Sequence, residues 1–427
     1  MSVAEERRFT VLPPLSLYVH LPWCVKKCPY CDFNSHEARG EIPEAAYVDA
    51  LLADLAAELP AVWGRNLVSV FIGGGTPSLF SAAALDRLLG GVRALTALAP
   101  NVEITMEANP GTVERERFAD YRALGINRLS IGVQSFDDRA LAALGRIHSG
   151  DEARRAIETA RAAGFEELNL DLMFALPGAG TAPAANRRTN GISTSDAIAA
   201  ALLDVETALS FAPEHLSCYE LTLEPNTLFA RFPPELPDDD ARGEIQDAIV
   251  AHLAAAGLAR YEVSAYARPA HASVHNTNYW RFGDYIGIGA GAHGKISRAD
   301  ENTIVRRWKI KHPARYLESG GADALGGQTT IPVEDTALEF MMNALRLIDG
   351  VEIPLFERHT GVSLGRWNGA IRRAVDAGLL EQAGMSLRAT PRGLDCLNDL
   401  LQHFMTDGPE EASTARYRVI PLVRSEG

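Results

Sequence analysis

Cys24-Val-Lys-Lys-Cys28-Pro-Tyr-Cys31 gathers three of the chain's five cysteines into one short loop. The loop follows the strand-like run Leu17-Tyr-Val-His-Leu21, while Cys218 and Cys396 lie far away in sequence. Three thiolates are one short of a complete four-cysteine metal site. Thiolate is a soft ligand suited to iron–sulfur clusters or zinc, and both normally take a fourth ligand. Either His20 or His36 completes a structural zinc site, or one metal position stays open to a small molecule. Zinc sites usually pair CxxC knuckles, so a C-x3-C-x2-C loop fits zinc poorly. Lys26 and Lys27 beside the loop would favour the anionic thiolates.

Beyond the loop, residues 43–55 carry apolar side chains at helical spacing. Val68-Ser-Val-Phe-Ile72 reads as a buried strand ending in Gly73-Gly-Gly-Thr-Pro77, and Ser81 as the N-cap of the next helix. Val102-Glu-Ile-Thr-Met106 ends in Glu107-Ala-Asn-Pro110, and a helix over 113–124 is stopped by Gly125. Arg128-Leu-Ser-Ile-Gly-Val133 ends in Gln134-Ser-Phe136. Helices over 137–144 and 151–163 lead to the strand Glu167-Leu-Asn-Leu-Asp-Leu-Met-Phe174. A helix over 194–211 precedes His215-Leu-Ser-Cys-Tyr-Glu-Leu-Thr222, and another follows over 241–256. Six β-then-α units imply an α/β fold with a parallel sheet and right-handed crossovers. Active sites in such sheets gather at the C-terminal ends of the strands. The cysteines, GGGTP, Glu107, Gln134 and Asp171 are all expected on that rim.

At 427 residues and 46.2 kDa the chain exceeds a usual single core, so more than one domain is expected. The barrel-like part spans 14–232, with a flexible surface insertion over about 178–195, where small and polar residues lack periodicity. A Pro- and Asp-rich linker opens a connecting segment, 233–330. Residues 331–427 form a mainly helical C-terminal domain whose helix–helix–hairpin–helix pattern resembles a winged helix. The net charge of -14 argues against nucleic acid as a partner. No apolar run reaches the ~18 residues of a membrane span. Glu5-Glu-Arg-Arg8 lacks the apolar stretch of a signal peptide, and five cysteines, three of them clustered, fit a reducing cytoplasm.

Glycines at 73–75 leave room for a ligand to approach the backbone. Glu107, Gln134, Arg146 and Asp171 add charges and an amide, a set suited to a zwitterionic ligand bearing an amine, a carboxylate and hydroxyls. Arg146 serves equally well as a surface salt-bridge residue.

The cysteine loop with Tyr30, followed by GGGTP, resembles the radical S-adenosylmethionine superfamily. Leu17-Tyr-Val-His-Leu-Pro-Trp-Cys24, Gly132-Val-Gln-Ser-Phe136, Leu144-Gly-Arg-Ile-His148 and the Asp171-Leu-Met to Leu-Pro-Gly178 stretch are similar to the oxygen-independent coproporphyrinogen III oxidase family, and more narrowly to its heme-chaperone relatives. The similarity covers roughly residues 14–404. It implies a partial (β/α)6 TIM-like barrel in which Cys24, Cys28 and Cys31 hold a [4Fe-4S] cluster whose open iron is chelated by S-adenosyl-L-methionine. Tyr18, Tyr30, Gly74, Gly75, Thr76, Glu107, Gln134, Arg146 and Asp171 match cofactor-binding positions. Reduction of the cluster in this superfamily cleaves the cofactor to a 5′-deoxyadenosyl radical.

Two departures matter. The oxidases carry a further cysteine two positions after the last cluster ligand, where this chain has Phe33, and they have a longer N-terminal segment. Asp32-Phe-Asn-Ser-His36 is the chaperone-like continuation, and His275-Asn-Thr-Asn-Tyr-Trp280 matches the chaperones' HNxxYW motif. Its imidazole suits heme iron and its aromatics can stack on a porphyrin. A histidine hydrogen-bonded into a domain interface is the bland account of the same residue, and His293 is a rival ligand. Arg298, Arg306, Arg307, Lys309, Lys311 and Arg315 form a local basic run that would either receive heme propionates or face solvent. The resemblance therefore implies a chaperone that carries heme to respiratory or storage apoproteins, with at most peripheral membrane association. Oxidation of coproporphyrinogen III is the enzymatic alternative, and nucleic-acid binding through the C-terminal domain is disfavoured by the acidity.

Overall fold

The computed structural model describes residues 7–111, 117–177 and 193–405. The six predicted strands are present: β1 (Leu15–Leu21), β2 (Asn66–Gly74), β3 (Ala97–Ala108), β4 (Arg128–Gln134), β5 (Glu167–Phe174) and β6 (His215–Glu220). Each pairs with the next in parallel. This is the six-stranded parallel arc of a partial barrel, and the α/β expectation holds.

The arc extends at both edges. β7 (Ala259–Arg260) and β8 (Ala265–Ala267) add antiparallel strands beside β6. At the other edge β9 (Asp284–Ile288) pairs in parallel with β1. β10 (His293–Arg298), β11 (Thr303–Lys309) and β12 (Leu325–Thr330) then continue outward as an antiparallel meander. Among the described residues this makes one twelve-stranded sheet, in the order β12-β11-β10-β9-β1-β2-β3-β4-β5-β6-β8-β7. The segment 259–330 thus supplies sheet rather than only linking, and the Gly-rich 285–294 is mostly strand.

Alternation along the strands decides what enters the barrel. Leu15, Leu17, Val19 and Leu21 of β1 belong to the core beneath the helices, as do Val70 and Ile72 of β2. The intervening residues face the other way, and the register puts Ser16 beside Ser69, Tyr18 beside Phe71 and His20 beside Gly73. Glu103, Thr105 and Glu107 of β3 share that face, with Ser69 beside Glu103. The barrel interior is therefore polar and aromatic, and the apolar core lies outside it.

Helices α1 (Glu44–Val62), α2 (Ala82–Leu95), α3 (Phe118–Ala123), α4 (Asp138–Ala143), α5 (Gly150–Ala162), α6 (Thr194–Leu209) and α7 (Asp239–Ala255) cover the sheet. Ser81 caps α2 as expected, accepting from the Ala84 N–H at 3.2 Å. In α5, Ser149 and Glu152 form a reciprocal capping box, and Ala153, Ala156, Ile157 and Ala160 bury one face. Of the helix predicted over 113–124, residues 113–116 lie outside the described residues, as do 178–192 of the insertion and 406–427 of the C-terminal domain.

The C-terminal part carries α9 (Thr336–Ala344), β13 (Val351–Glu352), α10 (Ile353–Thr360), α11 (Asn368–Asp376), β14 (Leu380–Ala383) and β15 (Ser386–Ala389). β15 lies between β13 and β14, the three-stranded arrangement of a winged helix. A second apolar core joins Phe340, Phe356 and Trp367 of this part to Phe282 and Ile304.

Candidate functional site

The cysteine loop leaves the end of β1 and is tied down on three sides. Trp23–Cys24 pairs in parallel with His36–Glu37. The Cys31 N–H donates to the Cys28 carbonyl at 3.1 Å, and the Phe229 N–H donates to the Pro29 carbonyl at 3.1 Å. All three cysteines are unpaired and partly exposed. Burial pushes the Cys24 thiol up, and hydrogen bonds from Thr76 and Ser35 work against that shift. The cation beside the thiolates is Arg146, whose Nη1 lies 3.7 Å from Cys28 Sγ. Lys27 instead donates its Nζ to the carbonyls of Phe33 (2.9 Å) and Ser35 (3.2 Å), closing the loop on itself.

Arg146 is no surface residue. Its Nη2 donates to Asn109 Oδ1 (2.6 Å) and to the Gly132 carbonyl (2.9 Å). Asn109 Nδ2 in turn donates to Thr76 Oγ1 at 3.0 Å. GGGTP, the end of β3, the end of β4 and the cysteine loop are thus joined by one hydrogen-bonded chain. Asn109 is the link that the sequence did not single out, although it sits inside the quoted Glu107-Ala-Asn-Pro110. The Nε of Arg146 is buried without a partner. Tyr30 belongs to the same corner, with burial raising its phenol and Cys28 and Arg146 at its side.

The glycines are required first by the protein itself. A Cβ on Gly74, at φ 114, would lie 2.6 Å from the His20 ring, and one on Gly75 would lie 2.4 Å from the Trp23 carbonyl oxygen. Gly74 N–H donates to Glu107 Oε2 at 3.0 Å. Gln134 ends β4 in the left-handed region at φ 64. Asp171 departs from the expected rim position, since it lies mid-strand in β5 and accepts from Ser130 Oγ and Asn169 Nδ2, both at 2.8 Å.

A cavity of about 990 Å³ opens beside this corner. Tyr18, Gly74, Glu107, Cys31 and His275 of the expected site line it, together with His293, Phe33 and Lys311. Cys24, Cys28, Tyr30, Gly75, Thr76, Gln134, Arg146 and Asp171 are not among its lining residues. Aromatic rings run along one wall. Tyr18 stacks on Phe71 (6.2 Å), Phe71 on His275 (4.9 Å), and Tyr279 on Tyr285 (4.2 Å), with His275 and Tyr279 5.1 Å apart.

His275 opens α8 (Val274–Trp280), whose N-terminus is pinned by Glu103. That carboxylate accepts from the backbone N–H of Val274 (2.9 Å) and of His275 (3.0 Å). His275 Nδ1 lies 2.9 Å from Ser69 Oγ, and burial pulls the imidazole down to about 3. His293 is more open, and burial followed by Lys311 and Arg306 lowers it too.

The expected basic face is a different structure. Arg306 pairs with Glu339, Arg307 with Glu58 (2.8 Å), and Lys309 with Asp54 (2.5 Å) and Glu58 (2.6 Å), while Arg298 pairs with Asp300 and Glu301. Alternation along β11 sends Arg307 and Lys309 to carboxylates on α1 and Arg306 to Glu339 on α9. Lys311 is the member of the run that reaches the cavity.

His20, offered as a zinc ligand, has both ring nitrogens engaged, with Tyr18 Oη (2.9 Å) and the Asn34 carbonyl (3.0 Å). Among the described residues no three His, Cys, Asp or Glu side chains converge as single-ion ligands. A cubane cluster binds each thiolate on a different iron and needs no such convergence. The loop, with its three free thiols and an adjacent guanidinium, fits that cluster.

Glu107 is pushed up to about 7 by burial and by nearby Asp171, against the pull of the Gly74 N–H. A raised carboxyl is protonated in the folded protein at a pH where the unfolded chain has already ionised it. Its penalty on stability is absent below the ordinary value of 4.5, grows as pH rises, and is complete above about 7. Because the part-buried carboxylate lines an open cavity, the full penalty is on the order of 2 kcal/mol. Glu107→Gln should therefore stabilise the ligand-free protein in urea more at pH 8 than at pH 5. Equal midpoint shifts at the two pH values would refute this. A bound ammonium group would reverse the penalty, which suits an amine-bearing ligand.

Comparison with known proteins agrees with this geometry. The Radical SAM superfamily model matches residues 18–181, and the HemN C-terminal domain model matches 331–395. The heme chaperone HemW of Escherichia coli (strain K12) is 46% identical over 93% of this chain and 99% of its own length. That of Haemophilus influenzae is 44% identical over 93% of this chain and 99% of its own length. That of Mycobacterium tuberculosis (strain H37Rv) is 34% identical over 89% and 92%. The solved structure of coproporphyrinogen III oxidase (HemN) from Escherichia coli shares the fold, with a TM-score of 0.74 at 22% identity over 92% of this chain and 91% of that one. With the cysteine corner, the parallel arc and the winged-helix end all in place, the chain belongs to the HemW family of the radical SAM superfamily.

Proposed function

We propose that this protein is a heme chaperone, which binds heme beside a [4Fe-4S] cluster and S-adenosyl-L-methionine and passes the heme to acceptor hemoproteins. The observation that carries the reading is His275. Its imidazole is neutral, stacked on Phe71, and lines the cavity that Tyr18, Gly74 and Glu107 also line. A neutral imidazole is the form that ligates iron.

In this reading Cys24, Cys28 and Cys31 hold the cluster, which supplies an open iron for chelation and one-electron chemistry. Glu107 takes the cofactor's ammonium group, and Gly74, Gly75 and Thr76 shape the backbone around it. Arg146 holds Cys28, and Tyr18, Tyr30, Gln134 and Asp171 complete the surroundings. Tyr279 and Phe71 offer faces for a porphyrin, and Lys311 a cation for a propionate. The acceptors are taken to be respiratory or storage apoproteins, met with at most peripheral membrane attachment. No helix among the described residues is long and apolar enough to cross a membrane.

A hemin titration followed in the Soret region tests the reading. His275→Ala should weaken binding by about 10-fold or more and change the band position. An unchanged spectrum would move the ligand to His293 or a cysteine. Oxidation of coproporphyrinogen III is the competing activity. Phe33, exposed at the position where the oxidases carry a further cysteine, supports the chaperone. Formation of protoporphyrinogen by the reduced protein with S-adenosyl-L-methionine would overturn that preference.

A further inference from the structure

We propose that Ser69 is a positioning residue for His275, holding the imidazole as the tautomer whose Nε2 lone pair is open to the cavity. The inference rests on the heme-ligand reading of His275 given above.

A serine hydroxyl has one proton to give and can accept two. Ser69 Oγ donates its proton to Ser16 Oγ at 2.8 Å. Ser16 Oγ is held in turn by Asn278 Nδ2, a group that only donates, also at 2.8 Å. With its proton committed to Ser16, Ser69 can only accept from the ring nitrogen 2.9 Å away. His275 Nδ1 must therefore carry the hydrogen. A neutral imidazole holds a single N–H, so Nε2 is left with its lone pair free, and among the described residues no hydrogen bond occupies it.

The arrangement is rigid. Ser16, Ser69 and His275 are essentially excluded from solvent. β1 and β2 hold the two serines side by side in register. Asn278 lies on α8 with His275 and also donates to the Asp284 carbonyl at 3.0 Å. A Cβ on Gly283 would fall 1.8 Å from Asn278 Oδ1, so the asparagine is boxed in. The helix bearing the histidine thus also supplies the donor that helps fix the serine pair. Groups that fix the far nitrogen of a ligating histidine set its tautomer and orientation, and losing them costs about 10–100-fold in metal affinity.

Hemin titrations of the full chain with its cluster intact test the proposal, read by Soret position, iron spin state in electron paramagnetic resonance, and affinity. Ser69→Ala should weaken hemin binding about 10-fold or more and alter the spin state. Ser69→Thr, which keeps the hydroxyl, should restore the wild-type spectrum. In a His275→Ala background, Ser69→Ala should add no further loss. If His275→Ala leaves the hemin spectrum unchanged, the heme-ligand reading itself fails. If His275→Ala changes it while Ser69→Ala does not, only the role of Ser69 is overturned. An equal loss from Ser69→Ala with and without His275 would show a structural effect and also overturn it. Cluster absorption and far-ultraviolet circular dichroism of Ser69→Ala should match wild type.

Discussion

Cys28→Ala is expected to abolish the iron–sulfur cluster, with loss of the broad visible absorption and of protein-bound iron, while the fold survives. Three thiolates are the minimum that leaves one iron of a cubane open, so two cannot hold it against solvent. Cys28 is also the cysteine that Arg146 touches, with Nη1 3.7 Å from its Sγ. The polypeptide loses little. The side chain sits partly exposed in a loop, and Arg146 keeps its bonds to Asn109 and Gly132. Unfolding in urea should shift by less than about 1 kcal/mol, as for other substitutions outside a core. Cys218→Ala, at a buried cysteine on β6, is the control that should retain iron. Iron retained by Cys28→Ala would mean that the ligand set is wrong.

Asp284→Ala should be the most destabilising single change considered, at about 3–5 kcal/mol, the usual cost of stranding one partner of a buried ion pair. Asp284 is fully buried and accepts from Lys295 Nζ (2.9 Å), Arg65 Nη1 (2.9 Å), and the backbone and hydroxyl of Ser297 (3.0 and 2.9 Å). Alanine would leave Lys295 without its carboxylate in a site where burial already disfavours the ammonium. Denaturant midpoints measure the loss. Asp284→Ala combined with Lys295→Met should be less destabilised than Asp284→Ala alone, because the more deeply buried of the two stranded cations is removed and only Arg65 is left without the carboxylate. A double variant no better than the single would show that lost packing, not the stranded charge, sets the cost.

Much of the scaffold was legible because its signals are local. Apolar runs bounded by Gly73-Gly-Gly, Gly125 and Pro177-Gly marked the central strands and their ends, and buried parallel strands read this way from sequence. The start of β3 was not legible, because Ala97-Leu-Ala-Pro-Asn contains a proline and no alternation, and pairing with Asn66 and Leu67 makes it a strand. β9 was hidden at the start of a Gly-rich stretch. What defines it is the neighbouring β1, far away in sequence.

The site divided in the same manner. The cysteines, GGGTP and the HNxxYW segment stand out as motifs, but the bonds that organise them do not. Arg146 reads equally well as a ligand contact or a surface cation until Asn109, Gly132 and Cys28 surround it. The basic run reads as a cationic face until Asp54, Glu58 and Glu339 arrive from distant helices. Ser69 is an ordinary residue of an apolar strand, and nothing near it in the chain points to His275.

The pairing of β1 with β9 has a consequence for synthesis. A ribosome adds about 5–20 residues per second, so roughly 13–50 s separate the emergence of the first strand from that of its second neighbour. Throughout that interval one edge of β1 has no backbone partner, and an open edge invites pairing with other chains. The tethers on α8 arrive equally late, because Asn278 must reach back to Ser16. The nascent chain therefore exposes its cysteine loop long before it can close the cavity that His275 and Tyr279 line.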